Sequence, residues 1–224
     1  MRLGTFSIVA RCKKTGDFGV ATSTAVPCVG AMLPFAAEGV GAIATQAWVN
    51  INLGHQGLEL MRQGLSVRAT LEALLSEDEG RARRQVIGVD LKSTFGYTGD
   101  ECDDAKGHIL APDFAVAGNM LVNREVLDAM ADSFRKSKGE FSCRLLASIE
   151  AGQAAGGDSR GKVSAALVVA SAKPRLYHNI RVDYNADPVR ELKRVYDKCV
   201  ELEKEYGDDT GNEDLRRRIA RVQK

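Results

Sequence analysis

No surplus of charge marks this chain: 31 Lys and Arg stand against 30 Asp and Glu, a formal net charge of +1. A balance that close gives no electrostatic case for nucleic acid or an anionic membrane as partner. Long apolar runs are missing as well. No stretch approaches the roughly twenty apolar residues needed to span a bilayer. The N-terminal segment turns polar too early, and lacks the small-residue cleavage site, to read as a secretory leader. The cysteines (Cys12, Cys28, Cys102, Cys143, Cys199) are odd in number, scattered, and include no C-x-x-C pair. They read as reduced thiols of a cytoplasmic protein rather than a disulfide framework or zinc site. His55, His108 and His178 show no H-x-H or H-x-x-x-H spacing, so neither a metal nor an organic cofactor is expected. Nor is there a G-x-S-x-G elbow to raise a serine above an α/β-hydrolase sheet.

Two glycine patterns imitate nucleotide sites and fail on inspection. GGDSRGKV (residues 156–163) satisfies G-x-x-x-x-G-K, but Val163 stands where magnesium needs Ser or Thr. Its context is also reversed, with a helix expected before it and a strand after it. GVGAIA (residues 39–44) has the composition of a strand, with no obvious strand preceding it.

What the chain does contain is grouped strands and grouped helices. TFSIVARC, the turn KKTGDFG and GVATST predict an N-terminal hairpin. GVGAIATQAWV predicts a buried strand. SVRATLEALLSED predicts a helix with Ser66 as N-cap and Val67, Thr70, Leu71, Leu74 and Leu75 on one face. RRQVIGVDLKS and STFGYTG predict two strands joined by a tight turn. A helix is expected from Asn123 with the stripe Val126, Leu127, Met130 and Phe134, stopping at Gly139. CRLLASIEAG predicts another, ending near Gly152. KVSAALVVAS and PRLYHNIRVDY read as strands. Asp187-Pro188 opens a long helix carrying Val189, Leu192, Tyr196 and Cys199, stopped by Gly207. A shorter tail helix carries Leu215, Ile219 and Val222. This grouping predicts an α+β layered architecture, not a Rossmann or barrel fold. The boundaries expected are a main domain over residues 1–185 and a helical C-terminal extension over 186–224 packed on it.

TFSIVA, GVATSTAVPCVGAMLPFA, GVGAIATQAWVN, RQVIGVD, YTGDEC, AGNML, AGGDSRGKVSAALVV and RVDYNADPVREL, in that order, resemble the domain-of-unknown-function family 1028. The resemblance covers the chain to about Leu192. It implies the fold of the N-terminal nucleophile (Ntn) hydrolases, a four-layer αββα sandwich of two antiparallel sheets between helical layers. It also implies a chemistry. In an Ntn hydrolase the first residue of the mature chain attacks an amide carbonyl with its side chain, and its own α-amine takes the proton. Backbone or Asn/Gln amides hold the oxyanion.

On that template Thr5 is the candidate nucleophile, with MRLG as a four-residue propeptide cut at Gly4-Thr5, a junction of the kind at which threonine-type members process themselves. Ser7, two residues on, shares its strand face as a supporting hydroxyl or fallback nucleophile. Asn119 is a candidate oxyanion donor, and Gln46, Asp158 and Arg160 are candidate substrate-binding residues. Each has a plainer reading. Thr5 could open an edge strand, and Asn119 could be a turn residue. Gln46 could be hydrogen-bonded for structure, since burying it unpaired is costly. Asp158 and Arg160 could form a surface ion pair bracing a glycine-rich loop, and Asp90 could be either structural or functional. Cys28 is the other potential nucleophile, but with no nearby His and nothing to lower its pKa it reads as a buried, inert thiol. The implied substrate is a small amide or peptide-like molecule, and the expected state a homodimer or higher homo-oligomer. The rival expectation is a non-catalytic oligomeric binding or assembly protein that keeps the fold without processing.

Overall fold

The structure, a computed structural model, describes residues 2–206. The expected helix stop at Gly207 and the tail helix around Leu215, Ile219 and Val222 lie outside the described residues. In chain order the elements are β1 (Arg2–Leu3), β2 (Thr5–Arg11), β3 (Phe18–Thr24), β4 (Pro34–Ala37), β5 (Gly41–Trp48), α1 (Asn52–Arg62), α2 (Val67–Ser76), β6 (Arg84–Asp90), β7 (Thr94–Thr98), β8 (Gly107–Leu110), β9 (Phe114–Asn119), α3 (Glu125–Lys136), α4 (Phe141–Ala154), β10 (Ser164–Ala170), β11 (Asn179–Val182) and α5 (Pro188–Tyr206). The fold is mixed α and β, with its strands in two antiparallel sheets. One sheet runs β1-β5-β6-β7, with β4 also on β5; the other runs β11-β10-β3-β2-β9-β8.

Strand alternation sorts the side chains into three apolar clusters. On one face of the six-stranded sheet, Phe6, Ile8, Val116 and Leu167 pack against α3, α4 and α5 through Leu127, Met130, Leu145, Ile149 and Leu192. Its other face meets the five-stranded sheet, where Val9, Val20, Ala115 and Val168 share a cluster with Ala42, Ala44, Ile87 and Val89. The outer face of the five-stranded sheet carries Ile43, Val86 and Phe95 against Leu53, Leu58, Met61, Val67 and Leu71 of α1 and α2.

Several expectations shift. The helix expected from Asn123 begins at Glu125. The segment PRLYHNIRVDY is a strand only over Asn179–Val182, preceded by a 3-10 turn at Leu176–His178. One local bond and one from α5 hold that turn: the Arg175 amide donates to His178 Nδ1 (3.2 Å), and the Leu176 amide donates to Glu203 Oε1 on α5 (2.8 Å). Helix α1 was hidden by its glycines, which are poor helix formers. Packing explains one of them. A Cβ on Gly54 would lie 2.2 Å from the Phe35 ring, so α1 reaches β4 only with glycine there. Strand β2, far from being an edge strand, lies between β3 and β9. Cys28 is exposed rather than buried, and sits in the left-handed region at φ 63°.

Candidate functional site at the polar end of the inter-sheet layer

The space between the sheets is apolar along most of its length and polar at one end. Register fixes which residues meet there. In the six-stranded sheet Thr5 pairs with Thr24 on one side and Asn119 on the other, and Ser7 pairs with Thr22. In the five-stranded sheet Gln46 pairs with Gln85, and Gln85 with Thr98. Paired residues on adjacent strands point to the same face, so each sheet presents a row of hydroxyl and amide side chains to the other.

The rows are joined by hydrogen bonds. Gln46 Nε2 donates to Gln85 Oε1 at 2.7 Å and, across the gap, to the Thr5 carbonyl at 3.4 Å. Asn119 Nδ2 crosses the other way to Gln85 Oε1 at 2.9 Å. The Ser7 hydroxyl reaches Gln46 Oε1 (2.6 Å) and Thr22 Oγ1 (2.8 Å). Gln85 Nε2 donates to the Gly118 and Gly107 carbonyls and to Thr98 Oγ1. Thr98 Oγ1 in turn lies 2.9 Å from His108 Nδ1. Burial holds the His108 imidazole below its ordinary pKa, and the nearby Arg124 charge pushes the same way. It is therefore neutral at pH 7, in keeping with a hydroxyl partner rather than a carboxylate.

Thr5 itself is fully buried. Its hydroxyl donates to Thr24 Oγ1 at 3.3 Å, and the Thr24 hydroxyl donates to the Gly4 carbonyl oxygen at 2.5 Å. A second donor converges on that oxygen, Arg160 Nη2 at 3.0 Å. Arg160 is held by Asp158, with Nη2 2.7 Å from Oδ2 and Nε 3.1 Å from Oδ1. The Asp158 carboxylate is sealed from solvent and also accepts from the Ala25 amide. Both residues ride on the glycine-rich loop between α4 and β10. Gly156, Gly157 and Gly161 adopt positive φ there, so the loop that fails as a phosphate cradle works as a tight bracket. Gly4 is pinned as closely: a Cβ there would lie 2.6 Å from Arg160 Nη2 and 2.8 Å from the Met120 Cβ.

Six residues singled out in the sequence thus converge on one site: Thr5, Ser7, Gln46 and Asn119 in the network, with Asp158 and Arg160 reaching it through Gly4. Asn119 ends β9 and is not a turn residue. Asp158 is buried rather than on the surface. Asp90 lies elsewhere, accepting from the Val67, Lys92 and Ser93 amides and bracing the start of α2. Burial pushes its carboxyl up, but those amides outweigh it and hold it low. Gln85, Thr22, Thr24 and Thr98 went unnoticed in the sequence, and His108 was weighed there only as a metal ligand. Gln85 carried one readable signal, since it alternates with Ile87 and Val89 on the inward face of β6.

These features define a two-sheet α and β protein with a satisfied hydroxyl-amide site between its sheets. The chain belongs to the family of unknown function DUF1028, whose model matches residues 5–192. A solved structure of that family, protein SPO2555 from Silicibacter pomeroyi, is 34% identical, with 88% of each chain covered and a TM-score of 0.80. Thiobacillus denitrificans BPH, solved in complex with epoxomicin, is 13% identical, with 75% of this chain and 100% of that chain covered and a TM-score of 0.43. No curated protein matches significantly. Among the described residues no helix is long and apolar enough to cross a membrane.

Proposed function

We propose that this protein is an Ntn-type amidohydrolase with the four-layer αββα sandwich of that class, and that Thr5 becomes its nucleophile when the Gly4–Thr5 bond is cut. One observation carries the reading: two donors, the Arg160 guanidinium and the Thr24 hydroxyl, converge on the carbonyl oxygen of the bond to be broken. Such donors stabilise negative charge developing on that oxygen, and a guanidinium does so more strongly than a neutral group. The family model's match also starts at Thr5, leaving the leader outside it.

The step balances as an acyl shift. Thr5 Oγ attacks the Gly4 carbonyl carbon while its proton passes to the departing nitrogen, so the C–N bond breaks and an ester forms. Water then hydrolyses the ester, releasing residues 1–4 as a carboxylate and leaving Thr5 with a free amine and a free hydroxyl. Arg160 and Thr24 are then available to a substrate carbonyl, with the α-amine as base. The substrate class proposed is a small amide or peptide-like molecule.

Intact mass tests the reading. The expected result is loss of residues 1–4 from the wild-type chain, none from Thr5→Ala, and processing slowed about tenfold or more by Arg160→Gln. A wild-type chain that keeps its leader after prolonged incubation overturns it. A second reading, a non-catalytic oligomeric binding protein, then leads. It is favoured by the completeness of the network, in which Thr5 is buried and already hydrogen-bonded.

A further inference from the structure

The chain's charge balances overall, but it does not balance locally. At the opposite end of β2 from Thr5 lies a cavity of about 490 Å³. Five cations line it: Arg11 at the end of β2, Lys13 and Lys14 in the turn to β3, Arg135 in the last turn of α3, and Arg144 in α4. Asp113, from the β8–β9 turn, is the one carboxylate in the lining. It is already shared, lying 3.0 Å from Arg11 Nη2 and 2.8 Å from Lys13 Nζ. Burial pushes its carboxyl up, but these two cations outweigh that and hold it low, so it stays ionised without offsetting the rest.

The remaining three cations have no counter-charge within the lining. Arg135 pairs with Asp132 outside the cavity at 3.0 Å, and Asp132 also serves Lys136. Arg144 has a backbone acceptor, the Phe134 carbonyl at 3.2 Å, and its guanidinium lies 4.3 Å from the centre of the Phe134 ring. Among the described residues it has no carboxylate partner, and its buried Nε–H has no acceptor. Lys14 is exposed and forms no ion pair among the described residues. Lys14 also lines a neighbouring cavity of about 640 Å³, so the two openings meet at this residue.

Five cations around one carboxylate repel one another, and the repulsion is relieved when an anion enters. The size lies within the range of small-molecule sites. Guanidinium groups fixed by stacking are also pre-organised for oxyanions, because little rotamer freedom is lost on binding. We propose that this cavity is a binding site for a small polyanion, a phosphorylated or polycarboxylate metabolite with two or more negative charges, held by Arg144 and Lys14 with Arg11, Lys13 and Arg135 around them. It is separate from the Thr5 site and does not depend on the reaction proposed there.

Titration calorimetry of the full chain with inorganic pyrophosphate, at about 50 mM salt where screening is modest, tests it. Saturable binding with a Kd of ~100 μM or tighter is expected, weakening as salt rises. Lys14→Ala, on an exposed turn, and Arg144→Gln should each weaken it about fivefold or more. Arg194→Gln, on the exposed side of α5, should leave it unchanged. Because Arg144 packs on Phe134 its variant can lose stability, so Lys14→Ala with an unchanged melting temperature is the deciding variant. Citrate distinguishes the two ligand types: equal binding points to polycarboxylates and phosphates alike, and weaker binding to the phosphoryl group. No saturable heat with either anion at millimolar concentration, or wild-type affinity in Lys14→Ala, overturns the proposal.

Discussion

Gln85 spends both ends of its amide inside the protein. Its oxygen accepts from Gln46 and Asn119, and its nitrogen donates to Thr98 and to the carbonyls of Gly107 and Gly118. Leucine at this position would nearly match the volume and strand several buried polar groups at once. We expect Gln85→Leu to cost about 2–4 kcal/mol, read as a lowered midpoint in chemical denaturation; an unchanged midpoint would mean that water or local rearrangement satisfies those groups. The sequence exposed this site unevenly. Gln46 was visible because a polar residue closes an apolar run. Thr5, Ser7, Asn119, Asp158 and Arg160 were visible through family resemblance. Nothing local, however, announces that Arg160 bonds to a carbonyl 156 positions away. Contacts that distant are set by the packing of the two sheets, not by nearby residues.

At the scale of elements, one ion pair braces the end of the β5–β6 pairing against the segment that follows α2. Asp78 accepts from Arg84 Nε and Nη2 at 2.9 and 3.0 Å, from Asn50 Nδ2 at 2.7 Å, and from the Gly80 amide at 2.8 Å. Arg84 also donates to the Trp48 carbonyl, tying the end of β5 to β6. The Arg84 hydrogen bond holds the Asp78 carboxyl low against the opposing effect of burial. Asp78→Asn would leave the half-buried Arg84 without its counter-charge, and a loss of about 1–3 kcal/mol is expected in thermal or denaturant unfolding. Wild-type stability in that variant would show the join to be carried by the backbone alone. Legibility differed by element for physical reasons. The α2 helix announced itself through Ser66, which accepts from the Ala69 amide as an N-cap should, and through a regular apolar stripe. The α1 helix has no side-chain N-cap and carries two buried glycines. Strand β4 is only four residues long and starts with proline, which gives periodicity little to show.

For the molecule as a whole, acid stability should be governed in part by two histidines. Burial lowers the pKa of His108 and of His178; near His178 the carboxylates of Asp17, Glu140 and Glu203 oppose the shift, and Arg175 assists it. Both are neutral when folded, whereas in the unfolded chain they take up protons near the ordinary value of about 6.5. Their effect is thus absent well above pH 6.5, and stability declines as pH falls from there toward the depressed folded values. The melting temperature should drop between pH 7.5 and 5.5 by more in the wild type than in a His108→Gln/His178→Gln double variant. Parallel profiles would remove the histidines from the account. A different consequence follows from how the chain enters the fold. Residues Arg2 and Leu3 pair with the five-stranded sheet, Thr5 belongs to the six-stranded one, and Gly4 is the crossing between them. While the chain is continuous, the leader is tethered at a high effective concentration. If the chain were severed at the crossing, the segment before Thr5 would be held by two residue pairs alone, and dilution would then favour its escape. The cut would act as a ratchet: reversal requires a rare encounter, so the vacated edge of β5 stays open without any further motion of the fold.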